Sequence, residues 1–170
     1  RGYDSSGIAI ANNNILSFEK TVGKIFELEK KINLKKIKGN IAIGHTRWAT
    51  HGKPLAVNCH PFVKENCALV HNGIIENFEN LKRTYSLVSD DIESETDTEV
   101  IAEIYNKLLN QYNDPIKAKL IARSLEGQWI LPPLIRGRRV KSPVAGQLLS
   151  VKSYQRVNPI SMSPLIVRLA

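Results

Sequence analysis

The segment GHTRWATHG, residues 44–52, concentrates side chains that can bind a small polar ligand. The guanidinium of Arg47 is a planar fork that can hold a carboxylate through two parallel hydrogen bonds. Trp48 offers an apolar wall, and Thr50 and His51 offer further polar contacts. These residue types predict a loop that holds an amino acid by its carboxylate.

Two further motifs carry groups suited to acyl chemistry. In HNGIIENF, residues 71–78, an Asn amide and a Gly backbone N–H, those of Asn72 and Gly73, can both point at a developing oxyanion. Asp97, in SETDTEV, stands at a predicted helix start, where it can cap the helix or pair with the ammonium of a bound amino acid. Taken alone, an Asn-Gly pair most often marks a turn and such an Asp is most often a cap.

The surrounding elements place these motifs at the ends of strands. An Asn-rich turn within residues 7–23 predicts a hairpin, and the apolar runs NIAIGHTR and CALVHNG predict strands that end in polar residues. Apolar stripes and capping residues predict four helices, within residues 24–37, 74–85, 94–112 and 114–125. The third has its stripe at Val100, Ile101, Ile104, Tyr105, Leu108, Leu109 and Tyr112. The order indicates a mixed α and β domain.

Composition narrows the class of protein. The chain has 170 residues, 42% of them apolar, and no apolar run near eighteen residues, which argues against a membrane span. Its two cysteines, Cys59 and Cys67, are too few for a disulfide framework, so we expect buried, inert thiols and a cytoplasmic location. The histidines and cysteines lack the close spacing of a strong metal signal, and a metal site is a weak alternative.

Five blocks, in this order and spacing, resemble the glutaminase domain of the glutamine:fructose-6-phosphate aminotransferases, the glucosamine-6-phosphate synthase family. The blocks are RGYDSSGIA (1–9), GHTRWATHGKP (44–54), NCHPF (58–62), HNGIIEN (71–77) and SETDTEV (94–100). The resemblance covers residues 1–127 and is closer to this family than to other amidotransferases with an N-terminal nucleophile. Residues 1–127 are therefore predicted to be a glutamine amidotransferase domain of the second class, incomplete at its N-terminus.

The resemblance implies an α+β fold, the four-layer αββα sandwich of the N-terminal-nucleophile hydrolases. It implies that glutamine is hydrolysed to glutamate and ammonia, with no cofactor or metal. The residues expected at the site are Arg47 on the glutamine carboxylate, Trp48, Thr50 and His51 lining the same loop, Asp97 on the amino group, and Asn72 and Gly73 in the oxyanion hole. The resemblance also places His60 in the family's His-Pro pocket segment, and a structural role is the alternative to a role in the pocket.

The sequence departs from the family in its nucleophile. The family uses an N-terminal cysteine whose own α-amino group moves the proton, whereas this sequence begins at Arg1. Neither Cys59 nor Cys67 has a free amine, so we expect this fragment to be inactive by itself. Fructose 6-phosphate would bind only to sugar isomerase domains that the sequence does not contain. A catalytically silent glutamine-binding module or a degenerate gene product is the alternative.

Residues 128–170 form a second predicted region, a divergent basic tail. Residues 124–170 contain seven Lys and Arg and one Asp or Glu, while residues 1–123 contain seventeen and fifteen, so most of the net charge of +8 lies late in the chain. After Gly127 neither hydrophobic period is clear, so no element can be assigned there, and if the reading frame has changed these residues should contribute little to the fold. A change of reading frame would explain this break. Nucleic-acid binding through RGRR is a weak alternative.

Overall fold

A computed structural model of the chain describes residues 4–12, 15–33, 39, 41–48, 53–114 and 117–118, and the backbone of residues 134–135 and 165–168. Within these residues lie seven strands and three α-helices, with two short 3-10 turns at Ala56–Asn58 and Ser89–Asp91. The strands form two antiparallel sheets.

The first sheet has four strands in the order β2-β1-β3-β7. Their bounds are β1 Ser5–Asn12, β2 Ile15–Val22, β3 Ile41–Arg47 and β7 Leu165–Arg168. The predicted hairpin is confirmed, because β1 and β2 pair antiparallel from Ser5 with Val22 to Asn12 with Ile15. The strand predicted from NIAIGHTR is also confirmed, as β3, which pairs with β1 on the other side.

The second sheet has three short strands in the order β4-β5-β6. Their bounds are β4 Phe62–Val63, β5 Cys67–Leu69 and β6 Leu134–Ile135. Small and β-branched residues join the two sheets in one buried cluster: Ala9, Ala11 and Ile43 come from the first sheet, and Ala68 and Val70 come from β5 and the residue after it. The sheets therefore stack face to face as a sandwich.

Helices flank the stacked sheets. The helix α3, Asp97–Tyr112, packs on β4 and β5, and α2, Phe78–Thr84, packs on α3. Their buried cluster contains Cys67, Ile75, Leu81, Val100, Ile101, Ile104, Tyr105, Leu108, Leu109 and Ala118. The helix α1, Ile25–Lys31, contacts β1 and β2. The α+β architecture expected from the resemblance is observed, and so is the buried stripe of α3.

Two helices are shorter than predicted. The first ends at Lys31, and of its apolar residues Leu28 is buried while Ile25 is 56% exposed. The second begins at Phe78 rather than at residue 74, and the backbone N–H of Ile75, in the preceding loop, donates to the Asp97 carboxylate. Of the fourth predicted helix, only residues 114, 117 and 118 lie within the described part of the chain, and residues 117–118 are helical.

The stretch after Gly127 does contribute strands, against our expectation. β6 pairs with β5, and β7 pairs with β3 from Ile41 with Arg168 to Gly44 with Leu165. The sequence assigned no element here because a short edge strand needs little more than backbone pairing, which leaves no periodic pattern in the sequence. The domain boundary at Gly127 stays a prediction.

A glycine on β1 lets another segment cross the sheet closely. A Cβ at Gly7 would lie 2.9 Å from Cβ of Lys20 and 3.0 Å from Cδ of Pro61, and it would also overlap the carbonyl oxygen of His60. Because Gly7 pairs with His45 on β3, this crossing brings His60 over the end of the sheet at which β3 ends in Arg47.

Within the described residues, no helix is both long enough and apolar enough to cross a membrane.

Candidate functional site

The first part of the site lies where β3 ends. Arg47 is its last residue and is 7% exposed, and its Nη1 donates to the carbonyl of Lys53 at 3.5 Å. Trp48 follows and is 53% exposed. The strand thus ends in a buried guanidinium that is followed by an exposed aromatic ring. Carboxylate binding by this loop stays a prediction. Thr50 and His51 lie outside the described residues.

A fully buried asparagine ties the segment after β3 to the start of α3. Asn58 donates through Nδ2 to the Lys53 carbonyl at 2.9 Å and to Oε2 of Glu95 at 3.2 Å, and its Oδ1 accepts from the Glu95 N–H at 3.0 Å. The Lys53 N–H donates to the same Glu95 carboxylate at 3.2 Å. Since Lys53 also accepts from Arg47, the clamp of Lys53, Asn58 and Glu95 connects Arg47 to the residues just before Asp97.

Asp97 is the first residue of α3, and its carboxylate holds the neighbouring loop. Oδ2 accepts from the backbone N–H of Ile75 at 2.6 Å, and Oδ1 accepts from the hydroxyl of Thr98 at 3.3 Å. A carboxylate has about four lone-pair positions, so these two bonds leave it able to accept from a ligand ammonium. Asp97 is not the N-cap of α3, which is Thr96; its carboxylate instead holds the loop that follows Asn72 and Gly73.

The segment before Asp97 is anchored by a buried ion pair. One carboxylate oxygen of Glu99 accepts from the N–H groups of Glu93 and Ser94, at 3.1 and 2.6 Å, and the other pairs with Nζ of Lys64 at 3.0 Å. Burial opposes ionisation of Glu99, but the hydrogen bonds from Ser94 and Lys64 outweigh it and lower the pKa of the carboxyl group. This pair holds the start of α3 against the second sheet.

Gly73 occupies a conformation that only glycine adopts easily. Its φ is +147°, and a Cβ there would lie 2.9 Å from Nε2 and 3.1 Å from Cε1 of His71. The His71 ring is buried, with Nδ1 3.3 Å from the Thr98 hydroxyl, and burial lowers its pKa. The backbone at Gly73 therefore lies directly against a side chain that α3 holds in place.

Two stacked histidines lie next to Asn72. Nε2 of His45 is 2.9 Å from Oδ1 of Asn72, and the ring centroids of His45 and His60 are 4.3 Å apart. Burial lowers the pKa of His45 and places the pKa of His60 well below its usual value, so both rings are neutral at pH 7. Within the described part of the chain, neither ring nitrogen of His60 has a hydrogen-bond partner.

The structure describes five of the seven predicted site residues, and sequence reasoning missed the groups that form hydrogen bonds around them. The five are Arg47, Trp48, Asn72, Gly73 and Asp97, and their roles toward a ligand stay predictions. The missed groups are His45, Asn58 and Glu95, all of which lie inside motifs that drew attention for other residues. The available signal was a polar side chain inside a motif, at a position for which the sequence suggested no other role.

The two cysteines are not among the candidate site residues. Both are fully buried, with Sγ of Cys59 donating to the Leu55 carbonyl at 3.2 Å. Burial raises the pKa of Cys67 to about 12, which keeps its sulfur protonated. The prediction that Cys67 is a buried strand thiol is confirmed. Among the described residues, no three His, Cys, Asp or Glu side chains are grouped to hold a metal ion.

Comparison with known proteins identifies the class to which this arrangement belongs. The sequence pattern of the family described as "glutamine amidotransferase domain" matches residues 33–117, which is half of the chain. This chain belongs to the glutamine amidotransferase family. The matched residues contain Arg47, the Asn72–Gly73 turn and Asp97, so family membership and site geometry concern the same part of the molecule.

This amidotransferase chain is similar to glutamine–fructose-6-phosphate aminotransferases from several bacteria. It is 42% identical over 138 residues to a glutamine–fructose-6-phosphate aminotransferase (isomerizing) of Bradyrhizobium diazoefficiens, covering 81% of this chain and 23% of that protein. It is 52% identical over 111 residues to the enzyme of that name from Francisella tularensis, covering 63% and 18%. The chain thus spans about a fifth of the length of these relatives. The first match is longer than 127 residues and so includes residues after Gly127.

Solved structures support the same fold for the amidotransferase chain. A glutamine phosphoribosylpyrophosphate amidotransferase from B. subtilis, complexed with ADP and GMP, matches with a TM-score of 0.51 and 32% identity, over 62% of this chain and 24% of that one. A structure of the allosteric regulatory enzyme of purine biosynthesis matches with a TM-score of 0.52 and the same identity and coverage. The fold is that of the glutamine amidotransferases with an N-terminal nucleophile, as the resemblance implied.

Proposed function

We propose that this chain forms the glutamine-binding and oxyanion-stabilising part of a glutaminase site. Arg47 holds the α-carboxylate of glutamine and Asp97 holds its α-ammonium group. Asn72, through its side-chain amide, and Gly73, through its backbone N–H, stabilise the oxyanion that forms at the side-chain carbonyl. Trp48, Thr50 and His51 line the same pocket.

The observation that carries the proposal is the 2.6 Å hydrogen bond from the Ile75 N–H to the Asp97 carboxylate. It fixes the proposed ammonium site relative to the Asn72–Gly73 turn, two residues earlier in the chain. The clamp of Lys53, Asn58 and Glu95 in turn connects Arg47 to the segment before Asp97. An α-amino acid carries its carboxylate and its ammonium group on the same carbon, so its site needs a cation and an anion at a fixed spacing, and the hydrogen-bond network that links Arg47 to the segment before Asp97 supports this pairing.

The reaction needs a nucleophile in addition to these groups. A thiolate attacks the glutamine amide carbon, and the carbonyl oxygen becomes an oxyanion beside Asn72 and Gly73. Ammonia leaves with a transferred proton, and water then releases glutamate from the thioester. Neither Cys59 nor Cys67 can attack, because both sulfurs are fully buried, so the thiol is not one of these two.

By similarity to the aminotransferases named above, we propose that the ammonia serves amination of fructose 6-phosphate. The sugar phosphate would bind to other domains of such an enzyme. We place the reaction in the cytoplasm, because two cysteines are too few for the disulfide framework typical of small secreted domains, and we expect no cofactor, no membrane contact and no nucleic-acid contact for this site.

The binding role is tested by calorimetric titration of the chain with L-glutamine, D-glutamine and L-glutamate. L-Glutamine should bind more tightly than its mirror image, because the two charged sites are fixed. Arg47→Lys should weaken binding by about 2 to 4 kcal/mol, roughly 30- to 1000-fold, since Lys keeps the charge but loses the two-pronged contact.

Arg83→Lys is the matched control. Arg83 lies on α2, and its Nε donates to the carbonyl of Glu79, so this change should leave glutamine affinity as it is in the parent. No binding of L-glutamine by the parent chain would contradict the proposed function. Equal affinities of the parent and Arg47→Lys would contradict the role given to Arg47.

A further inference from the structure

His45 contacts the proposed oxyanion hole from inside the sandwich. It lies on β3 of the first sheet, and its Nε2 is 2.9 Å from Oδ1 of Asn72, which follows β5 of the second sheet. The ring of His60 stacks on it with centroids 4.3 Å apart, and Phe62 meets His60 edge-on at 4.9 Å. The imidazole is thus fixed by groups that belong to different parts of the fold.

The way the Asn72 amide faces His45 decides what it offers to a ligand. A side-chain amide can present its oxygen or its nitrogen to a neighbour by a half-turn about its last bond. With the oxygen toward His45, the NH₂ group points away and can donate. With the nitrogen toward His45, the carbonyl oxygen would meet the oxyanion and repel it.

The burial of His45 favours the first arrangement. A neutral imidazole carries one N–H. The His71 backbone lies close enough to the His45 ring to favour its protonation, but within the described residues no partner is in hydrogen-bond geometry with Nδ1. A buried N–H without an acceptor is rarer and more costly than a bare nitrogen lone pair. The proton is therefore better placed on Nε2, where Oδ1 of Asn72 accepts it.

We propose that His45 is a positioning residue whose Nε2–H tautomer fixes the Asn72 amide with its NH₂ group presented to the oxyanion. The inference rests on the proposed function for its purpose, but the hydrogen bond and the tautomer are properties of the chain without any ligand. His60 supports the arrangement by stacking on the imidazole.

The tautomer is measured by long-range ¹H–¹⁵N spectra of the uniformly labelled chain, without ligand, near pH 7. The expected result is His45 protonated on Nε2, with the Asn72 NH₂ protons remote from the imidazole in nuclear Overhauser spectra. His45 protonated on Nδ1, or strong Overhauser contacts between those amide protons and the ring, would overturn the proposal, because the amide would then be reversed.

Two variants test whether His45 is what holds the amide. In His45→Ala, rotation of the Asn72 amide should be about 3- to 10-fold faster, as for loss of one net hydrogen bond. His45→Gln should restore slow rotation, because its amide N–H can replace the Nε2 donor. The Asn66 amide, bonded to Oδ1 of Asn110 at 2.8 Å, is the internal reference and should not change.

The outcomes separate this inference from the proposed function. Glutamine binding together with an Nδ1–H tautomer would refute the positioning role alone. An Nε2–H tautomer in a chain that binds no glutamine would support the orientation and refute the proposed function. Unchanged amide rotation in His45→Ala with an unchanged Asn66 signal would overturn the proposal. If a variant loses the Asn66 signal, its fold has changed, and the proposal is then tested by the His45 tautomer measured in the parent chain.

Discussion

The outer face of the second sheet and the end of the sandwich near His45 are buried to a similar degree but contain opposite chemistry. On the outer face, α3 contributes Val100, Ile101 and Ile104, each fully buried in an apolar cluster. The other region, which we call the polar end, contains Ser5, Ser6, His45 and His60. Each has a buried side-chain atom without a hydrogen-bond partner among the described residues.

The difference shows which region is built for stability. Apolar contacts need only close packing, and each buried aliphatic side chain adds stability in proportion to its area. A buried polar atom without a partner costs free energy, so a fold that keeps several in one place is not being stabilised by them. The polar end adjoins Arg47 and Asn72, and its cost is consistent with a site shaped for a ligand.

The largest effect is expected on the apolar side. Ile104→Ala should lower the free energy of unfolding by about 2 to 5 kcal/mol, through lost burial and the cavity left behind. Val88→Ala is the control, because Val88 is 61% exposed, and it should change stability by about 0.5 kcal/mol or less. Urea denaturation followed by circular dichroism measures both. Similar losses in the two variants would mean that α3 is not the main source of stability.

A smaller loss is expected where the His60–Pro61 segment crosses β1. Gly7→Ala should destabilise by roughly 1 to 3 kcal/mol, because its Cβ would overlap that segment. Gly44→Ala is a matched control on the paired strand β3, since the nearest atom to its Cβ would be the carbonyl oxygen of Gly7 at 3.6 Å. If thermal melts show equal changes for both, the close crossing is not a constraint on the fold.

The polar end should make stability depend on pH. His60 has a folded-state pKa well below its ordinary value of 6.5, so the unfolded chain takes up a proton that the folded chain excludes. The stability contribution is complete above about pH 6.5 and is lost as the pH falls toward the folded-state pKa, at about 1 kcal/mol per pH unit for one such group.

Urea titrations at pH 7.5, 6.5 and 5.5 measure this loss. His60→Phe keeps a ring of similar size and removes the titrating group, so the loss on acidification should be smaller in the variant. His45 and His71, whose pKa values are also lowered by burial, should retain part of it. A parent protein equally stable at all three pH values would argue against neutral buried histidines.

The smallest expected effect is on the cysteines. With Cys67 buried and its pKa at about 12, neither it nor the fully buried Cys59 should react with iodoacetamide in the folded chain at pH 8. Both should react in urea, which serves as the positive control. Rapid labelling of either thiol in the folded protein, read by mass spectrometry, would show that it is accessible.

The parts of the fold with local signals were predictable from sequence. The period of α3 predicted its buried stripe, the Asn-rich turn predicted the hairpin, and the motifs predicted that Arg47 and Asn72 follow strands. The contact of His45 with Asn72 was not predictable from the residues alone, because it depends on which side of one sheet faces the other. The clamp of Lys53, Asn58 and Glu95 was missed because Glu95 is far from the other two residues in the sequence.

The late strands β6 and β7 were missed for a different reason. Each is short, and a strand of two to four residues has no detectable period. Basic charge and proline content suggested a tail, but backbone pairing does not depend on either, provided that the paired residues themselves are not proline.

The pairing of β3 with β7 has a consequence for how the protein is made. Ile41 and its partner Arg168 lie far apart in the sequence, and β7 is translated after every other described element. During synthesis on a ribosome, the hairpin of β1 and β2 can form early, but β3 exposes an unpaired edge until the last strand emerges. Such long-range pairing is slow, and an unpaired strand edge can pair with other chains in the meantime. The nascent chain should therefore be prone to pairing with other chains through β3 until residues 165–168 have been made.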